Sequence, residues 1–201
     1  MNIRIPKRLT IETVYGCNAR CTMCPIDYPA ERKKQIMTTK VYKYIIDSMA
    51  EYTNEISMLD LFGLGEPLLD PQLFSRIEYA KSKGFKSIGI STNAHLLTDT
   101  RQKLLFDSGI DTIIFSIDGI NKETHEGIRK RVNFDRVVNN CLNTIRMRDK
   151  YGFNVKFVVR FIRQPANYNQ WDDFKRFWLS EISPEKGDFI TLYDMHSWER
   201  K

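Results

Sequence analysis

Three of the chain's four cysteines, Cys17, Cys21 and Cys24, fall within the eight-residue stretch CNARCTMC, spaced C-x3-C-x2-C. One short loop with that spacing can wrap three thiolates around a single centre. A structural zinc takes four protein ligands, and a catalytic zinc takes three and keeps one position open. No fourth ligand lies nearby in sequence: Cys141 sits in a helical pattern consistent with core, and His95, His125 and His196 are far off. A [4Fe–4S] cluster held by three thiolates leaves one iron open to a non-protein ligand, and chemistry can occur at that position. The cluster is the favoured reading, with zinc or an inert thiol group as the alternative. A disulfide framework does not suit the set, because three clustered cysteines and one distant cysteine cannot all pair.

The elements that must hold this loop alternate along the chain. Apolar runs rich in β-branched residues, at 9–15, 56–62, 87–91, 112–117, 155–162 and 189–193, are each the length of a strand. Helical patterns lie between them. Thr38 or Thr39 can cap a helix in which Val41, Tyr44, Ile45, Ser48 and Met49 share one face. Asp70-Pro71 opens a second helix that Gly84 ends, Thr98 or Asp99 opens a third that Gly109 ends, and Asn133 opens a fourth that Gly152 ends. A fifth carries Trp171, Phe174, Phe177 and Trp178 on its apolar side. Six strands and five helices in alternation predict βαβ units, a parallel sheet and right-handed crossovers. Eight strands would be needed to close a (β/α)8 barrel, so an open or partial barrel or a doubly wound sheet is expected. In such a sheet functional groups collect at strand C-terminal ends, and the cysteine loop directly follows the first strand.

The chain has 201 residues, 42% hydrophobic and 28% charged, as expected of one globular domain over 1–201. No apolar run approaches the roughly 20 residues of a membrane span, and the N-terminus lacks the apolar core of a signal peptide, so a cytoplasmic location is expected. The net charge of +6 favours anionic ligands without indicating nucleic acid. Arg32-Lys33-Lys34 reads as solvated surface, whereas Arg129-Lys130-Arg131 follows a strand that carries candidate site residues.

The cysteine loop after the first strand resembles the signature of the radical SAM enzymes, and the resemblance extends over essentially the whole chain. It implies an α/β fold, a partial (β/α)6 TIM-like barrel of parallel strands. It also implies that Cys17, Cys21 and Cys24 ligate a [4Fe–4S] cluster whose fourth iron receives the amino and carboxylate groups of S-adenosylmethionine. One electron then cleaves the sulfonium and yields a 5′-deoxyadenosyl radical that removes hydrogen from a substrate. The cofactor supplies the hard chemistry while the protein orients it and excludes water. Met23 stands where the family usually has an aromatic residue, and a methionine is adaptable enough to pack against adenine.

Further positions match. GEP, within LFGLGEPLLD after the second strand, resembles the family's Gly-Glu-Pro motif: Gly63 and Gly65 let backbone approach the ligand, Glu66 receives the methionine ammonium and Pro67 stiffens the turn. Ser91 and Asn93 in GISTNAHLL suit hydrogen bonds to ribose or carboxylate oxygens. Ser116 and Asp118 would face the barrel mouth, and Arg129 falls where relatives often pair an arginine with the methionine carboxylate. Arg160, inside an apolar strand, is costly to bury without a partner: it either faces the cofactor cavity, the favoured reading, or lies at a strand end in water. His95 and His125 read as polar loop groups.

The resemblance implies radical chemistry on a small-molecule or peptide substrate, with an electron donor such as flavodoxin or ferredoxin. The segments SIDG, THEGIR and FIRQPANYNQWDDF are similar to the branch whose members carry a cysteine-rich C-terminal SPASM or twitch extension and act on sugars, alcohols or peptides. No such extension lies within these residues, so the chain is either the N-terminal core of a longer enzyme or a minimal one. A non-catalytic iron–sulfur or zinc protein acting through a partner is the alternative. A basic RNA-binding module fits the charge but shows no nucleic-acid motif; RNA as a substrate stays open.

Overall fold

A computed structural model describes residues 4–26 and 33–196. Short strands β1 (Arg8–Thr10), β2 (Val14–Tyr15), β3 (Arg20–Cys21) and β4 (Gln35–Ile36) precede helix α1 (Thr39–Met49). They are followed by β5 (Met58–Asp60), α2 (Leu73–Ser82), β6 (Ile88–Thr92), α3 (Asp99–Asp107), β7 (Thr112–Ser116) and α4 (Lys122–Ile128). The chain continues through β8 (Arg129–Lys130), α5 (Phe134–Tyr151), β9 (Lys156–Arg163), α6 (Trp171–Glu181) and β10 (Phe189–Asp194). One six-stranded parallel sheet, ordered β1-β5-β6-β7-β9-β10, curls into a half-barrel. The small antiparallel pairs β2·β4 and β3·β8 sit outside it.

Alternation along the strands sorts the side chains into two populations. Ile88 and Ile90, Ile113 and Phe115, and Phe157, Val159 and Phe161 are fully buried in the core shared with the helices. Phe115 stacks on Phe157 with centroids 5.2 Å apart, and Phe161 meets Phe174 of α6 at 4.6 Å. The intervening residues Ser91, Ser116, Arg160 and Tyr193 line a cavity on the concave side. The helix signals act as expected at several ends. Thr38 caps α1 by accepting from Val41 N–H, Asn133 caps α5 by accepting from Arg136 N–H, and Gly84, Gly109 and Gly152 take positive φ after α2, α3 and α5.

Four local expectations are corrected. The run 9–15 is interrupted: β1 ends at Thr10, and β2 leaves the main sheet to pair with β4. Helix α1 buries Tyr42 and Ile46 and leaves Val41 and Tyr44 exposed, because the Tyr42 hydroxyl donates to the Arg76 carbonyl at 2.8 Å. Asp70-Pro71 lies ahead of α2, which begins at Leu73, and Asp70 accepts from Gln72 N–H. His125 is on helix α4, fully buried, not in a loop. Of the Arg32-Lys33-Lys34 cluster, Lys33 and Lys34 are exposed and Arg32 lies outside the described residues, as does the end of the terminal YDMHSWERK. Among the described residues no helix is long and apolar enough to cross a membrane.

Candidate metal and cofactor site

The cysteine loop is locked to the loop after β5 by backbone contacts. Glu66 N–H donates to the Gly16 carbonyl at 2.9 Å, while Leu64 and Gly65 N–H groups donate to the Glu12 carboxylate at 2.7 and 3.2 Å. A Cβ on Gly65 would lie 1.9 Å from the Val14 carbonyl oxygen, and one on Gly63 would lie 2.6 Å from Glu12 Oε1. The close approach that demands these glycines is therefore made by the chain itself, not only by a ligand. That clamp also explains the break after β1, since Glu12 points to the second loop instead of continuing a strand.

Cys17, Cys21 and Cys24 are half-buried, unbridged and rim a cavity of about 430 Å³ at the strand C-terminal ends. Cys17 Sγ accepts from Ala19 N–H at 3.4 Å and from Asn93 Nδ2 at 3.7 Å. Cys21 Sγ accepts from Arg129 Nη1 at 3.6 Å. Burial pushes the Cys17 thiol up to about 12 and raises that of Cys21, with Arg129 opposing the second shift. Among the described residues no three Cys, His, Asp or Glu side chains converge closely enough to chelate one metal ion. A [4Fe–4S] cluster, in which three irons would each take one of the thiolates, would separate its ligands further than a single ion does.

Met23, Gly65, Glu66, Ser91, Asn93, Ser116, Arg129 and Arg160 line the same cavity. Glu66 is buried and accepts from the Thr92 hydroxyl at 2.7 Å, Asn93 N–H at 2.8 Å and Leu68 N–H at 3.1 Å. Burial holds its carboxyl above the usual range, with those hydrogen bonds and Arg129 opposing. Among the described residues no cationic side chain forms an ion pair with it. Asn93 donates to Asn18 Oδ1 at 2.9 Å, and Ser91 Oγ lies 3.2 Å from Ser116 Oγ.

Pro67 and Asp118 are not among the lining residues. Pro67 is the buried first residue of a short 3-10 turn that the Glu66 side chain caps. Asp118 is fully buried behind the cavity, where it accepts from Ile162 N–H at 2.7 Å and pairs with Arg129 Nη2 at 2.8 Å. Arg129 Nε and Arg160 Nε are buried without a hydrogen-bond partner. Sequence reasoning missed Thr92, Ile162, Tyr193, Asp194 and His196, which also line the mouth. Alternation along 155–162 and 189–193 would have found Ile162, two residues beyond Arg160, and Tyr193, the β10 register partner of Ile162.

Set beside known proteins, the profile of the radical SAM superfamily matches residues 11–162. The chain belongs to the radical SAM superfamily. A Pyrococcus furiosus protein named as a tungsten-containing aldehyde ferredoxin oxidoreductase cofactor-modifying protein is 30% identical over 179 residues, covering 87% of this chain and 48% of its own length. An AdoMet-dependent heme synthase of Methanosarcina barkeri is 32% identical over 124 residues, covering 62% of this chain and 34% of its own. The crystal structure of Streptococcus suis SuiB bound to S-adenosylmethionine overlays with a TM-score of 0.74 at 17% identity, covering 96% of this chain and 41% of that one, which shows the shared partial barrel. The chain thus spans about half or less of the length of these relatives.

Radical SAM proteins use a [4Fe–4S] cluster and S-adenosylmethionine. The residues present fit both groups. Three thiols with N–H donors aimed at two of them suit a cluster, and a buried carboxylate in no ion pair among the described residues suits an ammonium. Two buried guanidinium nitrogens without partners suit a carboxylate.

Proposed function

We propose that this chain is the catalytic core of a radical SAM enzyme in which Cys17, Cys21 and Cys24 hold the cluster and Glu66 receives the methionine ammonium. Bound there, the cluster and S-adenosylmethionine supply a 5′-deoxyadenosyl radical that removes hydrogen from an organic substrate. The single observation that carries this reading is Glu66, an acid buried beside the thiol-rimmed cavity with donors on both oxygens and no ion-pair partner among the described residues, Arg129 acting on it only from a distance. Hydrogen bonds offset only part of the cost of burying a carboxylate, and a cationic ligand offsets more of it.

The other residues follow from geometry. Arg129 Nε and Arg160 Nε offer donors to the methionine carboxylate, and Ser91, Asn93 and Ser116 offer polar contacts to ribose or carboxylate oxygens. Met23, buried at 6% exposure, supplies an adaptable apolar wall for adenine. Pro67 and Asp118 act from behind, by fixing the Glu66 turn and the Arg129 guanidinium. The substrate is a small molecule or peptide that enters beside Tyr193, Asp194 and His196. SuiB has been solved with its precursor peptide SuiA, which supports a peptide as one candidate. A low-potential donor such as flavodoxin or ferredoxin supplies the electron, and residues 1–201 form a single core domain that works in the cytoplasm.

Anaerobic reconstitution with iron and sulfide, then dithionite and S-adenosylmethionine with chromatography for 5′-deoxyadenosine, tests the proposal. Product from the wild type and none from Glu66→Gln supports it. A loaded cluster that yields no 5′-deoxyadenosine, or zinc in place of iron, overturns it in favour of a non-catalytic metal protein.

A further inference from the structure

Arg129 is a cationic group in contact with a thiol of the cysteine loop. Its Nη1 donates to Cys21 Sγ at 3.6 Å, whereas Cys17 accepts from two neutral groups, Ala19 N–H and the Asn93 amide. The contact is built into the backbone. β3 and β8 pair antiparallel with Cys21 directly opposite Arg129, and Thr22 N–H donates to the Ile128 carbonyl at 2.9 Å. The other end of the guanidinium is held by Asp118, whose own second oxygen is fixed by Ile162 N–H. Asp118 side-chain exposure is 0% and that of Arg129 is 8%, so neither charge is screened by water. An arginine needed only to recognise a carboxylate would not require a ladder that sets it against the cysteine.

We propose that Arg129 is a positioning residue that raises the reduction potential of the cluster by donating to Cys21 Sγ, and that Asp118 sets the size of this effect by pairing with Arg129. The inference rests on the cluster assignment of the preceding section. Reduction adds one electron to the cluster, and the added negative charge is stabilised by a nearby buried cation and by an N–H···S bond. Asp118 opposes the same cation. The two residues therefore pull the potential in opposite directions although they form one ion pair.

The test is a redox titration of the anaerobically reconstituted chain, followed by electron paramagnetic resonance, for the wild type, Arg129→Gln, Arg129→Lys and Asp118→Asn. Arg129→Gln should lower the midpoint by at least the ~59 mV that corresponds to a tenfold change in a one-electron equilibrium. Asp118→Asn, which keeps an acceptor for Ile162 N–H, should raise it, and Arg129→Lys should fall between the wild type and Arg129→Gln. A merely structural ion pair predicts no such opposition of sign. Loss of the cluster in Arg129→Gln leaves the other two variants to decide. Clusters that load fully with unshifted potentials, or with Arg129→Gln and Asp118→Asn shifted the same way, overturn the inference while leaving the cluster assignment intact. A wild type that loads no cluster overturns that assignment instead.

Discussion

Gly65→Ala isolates the clamp between the cysteine loop and the Gly-Glu-Pro loop. No positive φ is required at Gly65, so alanine meets no backbone strain there, and the whole cost is steric. The added Cβ would sit 1.9 Å from Val14 O, 2.9 Å from Val14 C and 3.0 Å from Gly16 O, all backbone atoms that no rotamer change can move aside. The two loops must part by about 1.1 Å merely to bring the closest contact to 3.0 Å. Overpacking of this kind costs about 1–3 kcal/mol, and for a chain of this size each kcal/mol lowers Tm by about 2–4 °C. The same displacement carries Glu66 away from the cysteines, because Glu66 N–H is tied to the Gly16 carbonyl. A misplacement of about 1 Å in a reacting geometry costs on the order of 100-fold in rate. The assay pairs a thermal melt by circular dichroism with 5′-deoxyadenosine formation by the reconstituted protein. Gly127→Ala serves as the control: Gly127 lies exposed in α4 with nothing within 4 Å of an added Cβ, so alanine there should stabilise by about 0.5–1 kcal/mol. A Gly65→Ala protein with wild-type Tm and wild-type cofactor cleavage would refute the clamp.

The remaining predictions concern charge and ligation. Alanine at Cys17, Cys21 or Cys24 should abolish the cluster with helical content kept, whereas Cys141→Ala, buried on α5, should leave iron content unchanged; iron and sulfide analysis reads both. Asp188→Ala should destabilise by about 1–3 kcal/mol in urea unfolding, because it takes from buried Arg148 one of its two carboxylate partners, leaving Asp149 at 2.8 Å, and strips the acceptor from Phe157 N–H. Burial lowers His125 from 6.5 to about 3, aided by Arg129, so the folded protein holds it neutral while the unfolded chain takes up a proton. Its contribution to stability is therefore complete above about 6.5 and is lost as pH falls toward 3, by up to about 1.4 kcal/mol per pH unit. His125→Gln should remove that part of the slope in denaturant melts across pH 3–7.

Much of this was legible in the sequence, and the limits have physical causes. The strand at 112–117 and the helix opened by Asn133 declared themselves through β-branched runs and a capping side chain, and both sit where the pattern put them. The three cysteines and the charge of Arg160 inside an apolar strand pointed to a cavity by their own chemistry, whereas Gly-Glu-Pro, an ordinary turn by itself, did so only through its place after the second strand downstream of the cysteine loop. Helix α1 carries apolar residues on two stripes at three- and four-residue spacing, and only the partner at Arg76 O decides that Tyr42 turns inward. α4 is seven residues long and contains Gly127, too short and weak for periodicity to show. The role proposed for Asp118 was hidden because the sulfur that its partner Arg129 contacts lies 108 residues from that arginine, and the β3·β8 ladder brings those two together.

The central claim, that three thiolates hold a cluster whose open iron faces the Glu66 cavity, is tested most directly by electron paramagnetic resonance. The sample is the anaerobically reconstituted, dithionite-reduced chain with and without S-adenosylmethionine. The account predicts a reduced [4Fe–4S] signal that changes shape when the cofactor is added and does so less in Glu66→Gln. A signal indifferent to S-adenosylmethionine, or no cluster signal at full metal loading, would contradict it.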